Sequence, residues 1–248
     1  MNLSGFNVHN ASVGFATVSG ASTLLDMFTG SGLALAIDAG NADDFSLGNE
    51  NTLSGERFLV GQAVSSMDLQ GVSFTASGVD TRPVMDVRCD GTCRLTQSAF
   101  DGPQVGLSWS GPGTSVMHDV VVNAVQQAVE ASGSGHADWA NLTVAASERA
   151  LTVQTPSSTI ANVAVHLNSD DGRGIDVLGG EHVWSNMTAE KAFVSSDRTS
   201  IGLNAWYSHI TVDQMTLRNF STGALLEDSA VMACLLYTSP SPRDLDLS

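Results

Sequence analysis

A six-position phrase recurs along the chain: apolar, any, turn residue, apolar, any, apolar. Leu3-Ser4-Gly5-Phe6-Asn7-Val8 carries it, as do Leu69-Gln70-Gly71-Val72-Ser73-Phe74 and Met117-His118-Asp119-Val120-Val121-Val122. Trp139-Ala140-Asn141-Leu142-Thr143-Val144, Ile160-Ala161-Asn162-Val163-Ala164-Val165, Trp184-Ser185-Asn186-Met187-Thr188-Ala189 and Val212-Asp213-Gln214-Met215-Thr216-Leu217 follow. Weaker copies lie around Asp26 and Gln97. The turn positions recur at a spacing in the low to high twenties, with one gap of about two repeats between 26 and 71. Such a period marks a stacked solenoid.

A second phrase trails the first. A small residue is followed by apolar, any, apolar in Ala128-Val129-Glu130-Ala131, Ala150-Leu151-Thr152-Val153, Gly174-Ile175-Asp176-Val177 and Gly223-Ala224-Leu225-Leu226. Gly14-Phe15-Ala16 opens the series, and Gly174 comes late, after an enlarged loop. Both phrases alternate with period two, the mark of strands with one buried face. They are short and bounded by Gly, Asn, Asp and Ser. Leucine-rich repeats have a similar length, but their fixed leucines and helical side are missing. The pattern therefore predicts an all-β parallel β-helix, a solenoid of about ten coils of ~22 residues each, over residues 1–233.

One coil cannot bury its apolar face alone, so coils must stack and share a core. Equivalent residues then form columns at the ~4.8 Å spacing of neighbouring strands. One predicted inward column reads Leu3, Leu69, Met117, Trp139, Ile160, Trp184, Val212. One predicted corner column reads Gly5, Gly71, Asp119, Asn141, Asn162, Asn186, Gln214. Gly and Asn tolerate left-handed backbone, and stacked Asn amides bond along a ladder.

The chain resembles the right-handed parallel β-helix proteins of the pectate-lyase-like superfamily. The likeness covers nearly all of residues 1–233 and rests on the repeated Asn-apolar-x-apolar and Gly-apolar-x-apolar phrases. It implies a right-handed coil. These phrases speak to fold and are nearly silent on function.

Residues 234–248 break the pattern. The run from Cys234 to Asp244 reads as a translated sequencing-library adapter, so this tail is expected to be non-native and disordered, and is set aside from fold reasoning. The expected domain organisation is a β-helix over 1–233, a fragment of a longer protein of metagenomic origin.

Charge narrows the partners. The formal net charge is −16, and Lys191 is the only lysine. Such an acidic surface suits a salty, extracellular or cell-surface setting and disfavours nucleic acid. No apolar run approaches the ~20 residues that span a bilayer. Cys89 and Cys93 flank the turn signal Asp90-Gly91-Thr92. A lone pair with this spacing cannot complete a zinc site. A disulfide clipping an external loop, hence an oxidising compartment, is expected, with two free thiols as the alternative.

Candidate chemistry concentrates in two loops. Ser147-Glu148-Arg149 precedes one strand, and Asn168-Ser169-Asp170-Asp171-Gly172-Arg173 precedes the matching strand of the next coil. Aligning Ala150 with Gly174 stacks Arg149 on Arg173 and brings Glu148 near Asp170 and Asp171. The superfamily resemblance implies either a calcium site on Asp170 and Asp171 or catalysis by Asp170, Asp171 and Arg173. The plain alternative is a solvated, salt-bridged loop of ordinary loop residues. The several spaced motifs of polygalacturonases are missing. Trp109 and Trp206 lie outside the inward column and are candidate sugar platforms, with Glu148 and Arg149 as ligand-binding partners. Trp139 and Trp184 are expected in the core. The six histidines are expected at the surface or at strand ends. Sequons at Asn2, Asn10, Asn141, Asn186 and Asn219 permit glycosylation, although the corner ladder by itself writes N-x-T at Asn141 and Asn186.

Two function classes follow. The first is a non-catalytic extracellular solenoid, structural, adhesive or carbohydrate-binding, with polysaccharide or cell-surface glycan and neighbouring domains as partners and no required cofactor. The second is a polysaccharide lyase or glycoside hydrolase, which requires Glu148, Arg149, Asp170, Asp171 and Arg173 to line one groove.

Overall fold

In a computed structural model, the described residues are 1–17, 19–48, 50–192 and 200–238, the last four as backbone only. They form nineteen strands and no helix, paired in parallel as a β-solenoid of about ten turns. Residues 239–248 of the expected tail lie outside the described residues. The strand Ala230–Thr238 pairs in parallel with Ile201–Arg218.

The repeat maps onto the coils residue by residue. Leu3 pairs with Leu25, Leu25 with Leu47, Leu47 with Leu69 and Leu69 with Leu95. The same column runs on through Met117, Trp139, Ile160, Trp184 and Val212. From Leu25 to Val212 every member is buried. Alternation along each strand explains this: successive side chains point to opposite faces, so one parity lines the core. Trp139 and Trp184 fill this column as expected. Each indole N–H finds a serine one coil back: Trp139 Nε1 donates to Ser115 Oγ at 3.2 Å and Trp184 Nε1 to Ser158 Oγ at 2.9 Å. Burying an indole without such a partner costs free energy.

The corner column is a true ladder. Asp119, Asn141, Asn162 and Asn186 all have positive φ, between 49° and 58°. Asn141 Nδ2 donates to Asp119 Oδ1 at 2.9 Å, Asn162 to Asn141 at 3.0 Å and Asn186 to Asn162 at 3.0 Å. Asn141 and Asn162 each donate down the ladder and accept from the next coil, a use that Gly cannot supply.

Register corrects three corner positions. The residue opposite Gly5 is Met27, with φ 50°, and not Asp26, because Ser4 pairs with Asp26. The missing coil in the double gap turns at Glu50, with φ 64°. Gln214 sits one residue before the Met187–Met215 pair, in the column, but is not left-handed. Two sequons are confirmed as ladder members, and Asn219 is held too: its φ is 63° and its amide donates to Lys191 O at 3.0 Å.

Cys89 and Cys93 are joined by a disulfide with Cα atoms 6.0 Å apart. Both are buried and both belong to the strand Pro83–Asp101, so the bridge closes within the wall of the solenoid and not in an external loop.

Candidate functional site

The second phrase builds a face on three consecutive coils. Arg149 pairs with Arg173, and Leu151 with Ile175, which sets Ala150 opposite Gly174 as the alignment predicted. The apolar members, Leu151, Ile175 and Leu203, are buried. The variable member between them forms its own column, Thr152, Asp176, Asn204. A third column holds Leu178 opposite Trp206, with Gln154 one residue beyond the Val153–Val177 pair. These side chains line a pocket of about 180 Å³ together with Arg149 and Arg173.

The pocket is internally ordered. Trp206, 38% exposed, donates its indole N–H to Asn204 Oδ1 at 2.9 Å, and Asn204 Nδ2 donates to Asp176 Oδ1 at 2.7 Å. Arg173 Nη1 lies 3.5 Å from Asp176 Oδ1, and Arg149 Nε lies 3.7 Å from Oδ2. One carboxylate thus stands between two guanidinium groups, which leaves most of their ten N–H donors for other partners. Both arginines are about half exposed, and Asp176 is largely covered. Thr152 is 3% exposed, lines the pocket, and its Oγ1 has no hydrogen-bond partner among the described residues. An orphan hydroxyl of this kind costs roughly 1–3 kcal/mol unless a ligand or water satisfies it.

The wall carrying Trp206 is held from beneath. The corner after it has Tyr207 at φ 52°, 60% exposed, in register with Gly179 at φ 70°. A bulky residue in left-handed conformation is strained and persists only where surroundings enforce it. Ser208 Oγ donates to Trp206 O at 2.8 Å and reaches Gly179 O at 3.3 Å. His182 Nε2 donates to the same Gly179 carbonyl at 2.7 Å. Its Nδ1 therefore accepts from Ser158 Oγ at 2.9 Å, and that serine in turn accepts from Trp184. His182 is 2% exposed, which corrects the expectation of surface histidines. Burial holds its pKa below the usual 6.5, against the opposing pull of the Gly179 carbonyl.

The predicted loop groove exists beside this pocket. Glu148, Arg149, Asp170, Asp171 and Arg173 line one open groove. The charge pairing differs from the simplest expectation, because both arginines turn to Asp176 and Asp170 is taken by Lys191. Lys191 Nζ lies 3.3 Å from Asp170 Oδ1 and donates to Asp170 O at 3.3 Å, while its side chain is 1% exposed. Among the described residues no three His, Cys, Asp or Glu side chains come together as a metal-holding group. Calcium takes six to eight oxygens, and among the described residues Asp170 and Asp171 are joined by no third side chain of this kind.

Of the two tryptophans proposed as platforms, Trp206 is on the surface and Trp109 is not. Trp109 is 1% exposed and packs in the core, so neither of its ring faces is available to a sugar. Its position follows from register: it pairs with Val87 and with Ala131, both inward residues.

The sequence reading missed Thr152, Asp176 and Asn204. All three occupy the variable place of the second phrase, in Ala150-Leu151-Thr152-Val153, Gly174-Ile175-Asp176-Val177 and Gly202-Leu203-Asn204-Ala205. Reading that place down the column, as was done for the corner, brings them together.

Fold and site define a parallel β-solenoid with a lateral, aromatic-walled polar pocket. Among protein-family models, curated proteins and solved structures, none matches the chain, so the likeness to the pectate-lyase-like superfamily rests on the repeat phrases alone.

Proposed function

We propose that this solenoid is a non-catalytic, extracellular or cell-surface segment that binds carbohydrate at the Arg149–Trp206 pocket. The observation that carries the reading is Trp206, half open to solvent and fixed by Asn204, beside Arg173, Arg149 and Asp176. An aromatic face suits the apolar face of a sugar ring, and planar polar groups around it suit the hydroxyls. Asp176 is the pocket's one carboxylate among the described residues, and it is committed to Asn204 and two arginines. Hydrolysis with two carboxylates, one acid and one base or nucleophile, needs a second carboxyl group across the same bond. The buried Cys89–Cys93 bridge favours an oxidising compartment.

The alternative, a lyase or hydrolase of the pectate-lyase-like superfamily, draws support from Glu148, Asp170, Asp171, Arg149 and Arg173 sharing one groove. Affinity electrophoresis through gels containing neutral and acidic polysaccharides, with and without calcium, separates the two. Binding predicts retardation in at least one gel, lost in Trp206→Ala, with no release of reducing ends or unsaturated products. Product release that disappears in Asp171→Ala or Arg173→Ala, at unchanged thermal stability, establishes the enzyme instead. Migration unaffected by every polysaccharide overturns the binding reading.

A further inference from the structure

We propose that the solenoid wall holds a binding site for a single water molecule, between the indole of Trp109 and the serines of neighbouring coils.

The donor comes from the core. Trp109 is 1% exposed, and its Nε1 has no hydrogen-bond partner among the described residues. The other two core tryptophans are served by register. Ser115 lies two residues before Met117, which pairs with Trp139, and Ser158 lies two residues before Ile160, which pairs with Trp184. The same place behind Trp109, two residues before its partner Val87, is Met85. A thioether accepts only weakly. A buried indole N–H without an acceptor costs free energy.

The space lies beside it. Trp109 lines a cavity of about 10 Å³ with Ser110, Ser115, Ser132, His136 and Thr155. That is the room one water needs, and it is too small for an organic ligand. The serine hydroxyls there are loosely held. Ser110 Oγ lies 3.5 Å from Val87 O, Ser132 Oγ 3.4 Å from Trp109 O and Ser115 Oγ 3.5 Å from His136 O. All three exceed the usual O–H···O range of ~2.5–3.0 Å. Each oxygen therefore has capacity for a closer partner. Thr155 Oγ1 donates to Ser157 O at 2.9 Å, which leaves its lone pairs to accept.

Size and hydrogen-bonding sense together select the ligand. Apolar cavities stay dry, whereas buried water makes two to four bonds to polar groups. Water can accept the indole N–H and donate in turn to two hydroxyl oxygens. A metal or ammonium ion accepts no hydrogen bond and would leave the indole unserved. Ser132 follows Ala131, the residue opposite Trp109 on the next coil. The water thus links coils at Trp109 as Ser115 and Ser158 do at Trp139 and Trp184.

Water–protein cross-relaxation measured by NMR on the isotope-labelled full chain tests this, with Trp109→Phe to assign the resonance. The Trp109 indole proton is expected to show a cross-peak to water, with opposite signs in the laboratory-frame and rotating-frame experiments. Opposite signs separate a long-lived bound water from chemical exchange. The indole protons of Trp139 and Trp184 should show none. If Trp109→Phe fails to fold, Ser132→Ala assigns the resonance instead, since it removes one of the water's partners and should shift or lose that cross-peak alone. No cross-peak at Trp109 overturns the proposal. So does a cross-peak of the same sign in both experiments, or one of equal strength at all three buried indoles.

Discussion

Along the corner from Asp119 to Asn186, four coils repeat one backbone conformation and link through the same amide bond. Along the pocket face of overlapping coils, register is just as strict, yet Thr152, Asp176 and Asn204 differ at every step. The corner spends its side chains on holding coils together. The face leaves polar groups over, in two arginines sharing one carboxylate and in one orphan hydroxyl. Repetition therefore marks what the fold needs, and loss of repetition on a registered column marks what the fold does not need.

The comparison breaks most visibly through the core that both regions share. Trp184→Ala is expected to cost about 4 kcal/mol in denaturant unfolding, from lost burial, the cavity left and the loss of Ser158's partner. A cost near zero would mean that Trp184 is not packed in the inward column.

Lys191 and Asp170 come next. Asp170→Ala takes the carboxylate from a buried ammonium that keeps the main-chain carbonyl of residue 170, and should cost about 2 kcal/mol, whereas Lys191→Met exchanges the charge for an apolar chain of similar size and should be nearly neutral. Equal losses in the two variants, read by chemical denaturation, would show that Lys191 is not buried as described.

The corner itself is tested at Asn162. Asn162→Ala loses two ladder bonds and forces alanine into left-handed backbone, for about 1–2 kcal/mol; Asn162→Gly keeps the backbone freedom and should lose about half as much. Identical losses would mean that φ at this position contributes nothing.

The wall beneath Trp206 carries a pH dependence. His182 is buried neutral with its pKa below 6.5. As pH falls through 6.5, the unfolded chain takes up a proton that the folded chain refuses. Stability is thus fully present above 6.5 and declines below it, at no more than about 1.4 kcal/mol per pH unit, until the lowered folded pKa is reached. Melting curves between pH 7.5 and 5, pH values chosen to bracket the titration, should show this decline in wild type and a flatter profile in His182→Asn. Other carboxylates add their own acid dependence, so the difference between the two proteins is the quantity to read.

The legibility of these regions in the sequence follows the same division. Asn141, Asn162 and Asn186 announce left-handed corners because few residues other than Gly tolerate them. Met27 and Glu50 hold the same conformation without that signature, so the first was displaced by one residue and the second passed unnoticed until pairing supplied the register. Trp139 and Trp184 were legible as core through their column. Trp109 was not, because its column, Val87, Trp109, Ala131, belongs to the second phrase, where only the small residue had been aligned. Arg149 and Arg173 were placed correctly on one another by that small residue. Their true carboxylate, Asp176, was hidden in the variable place of the phrase, whereas the nearby Asp170 drew attention and proved to be the partner of Lys191. His182 faces inward by strand parity, but a lone histidine gives no signal of burial on its own.

Acrylamide quenching of tryptophan emission tests the central claim most directly, because it reports the core and the site in one experiment. The chain has four tryptophans, of which Trp109, Trp139 and Trp184 are buried and Trp206 is exposed. The neutral quencher avoids the chain's negative charge. The account predicts one readily quenched component, absent in Trp206→Ala and shielded when a bound oligosaccharide covers the pocket. A readily quenched component that persists in Trp206→Ala would contradict both the packing of the columns and the position of the site.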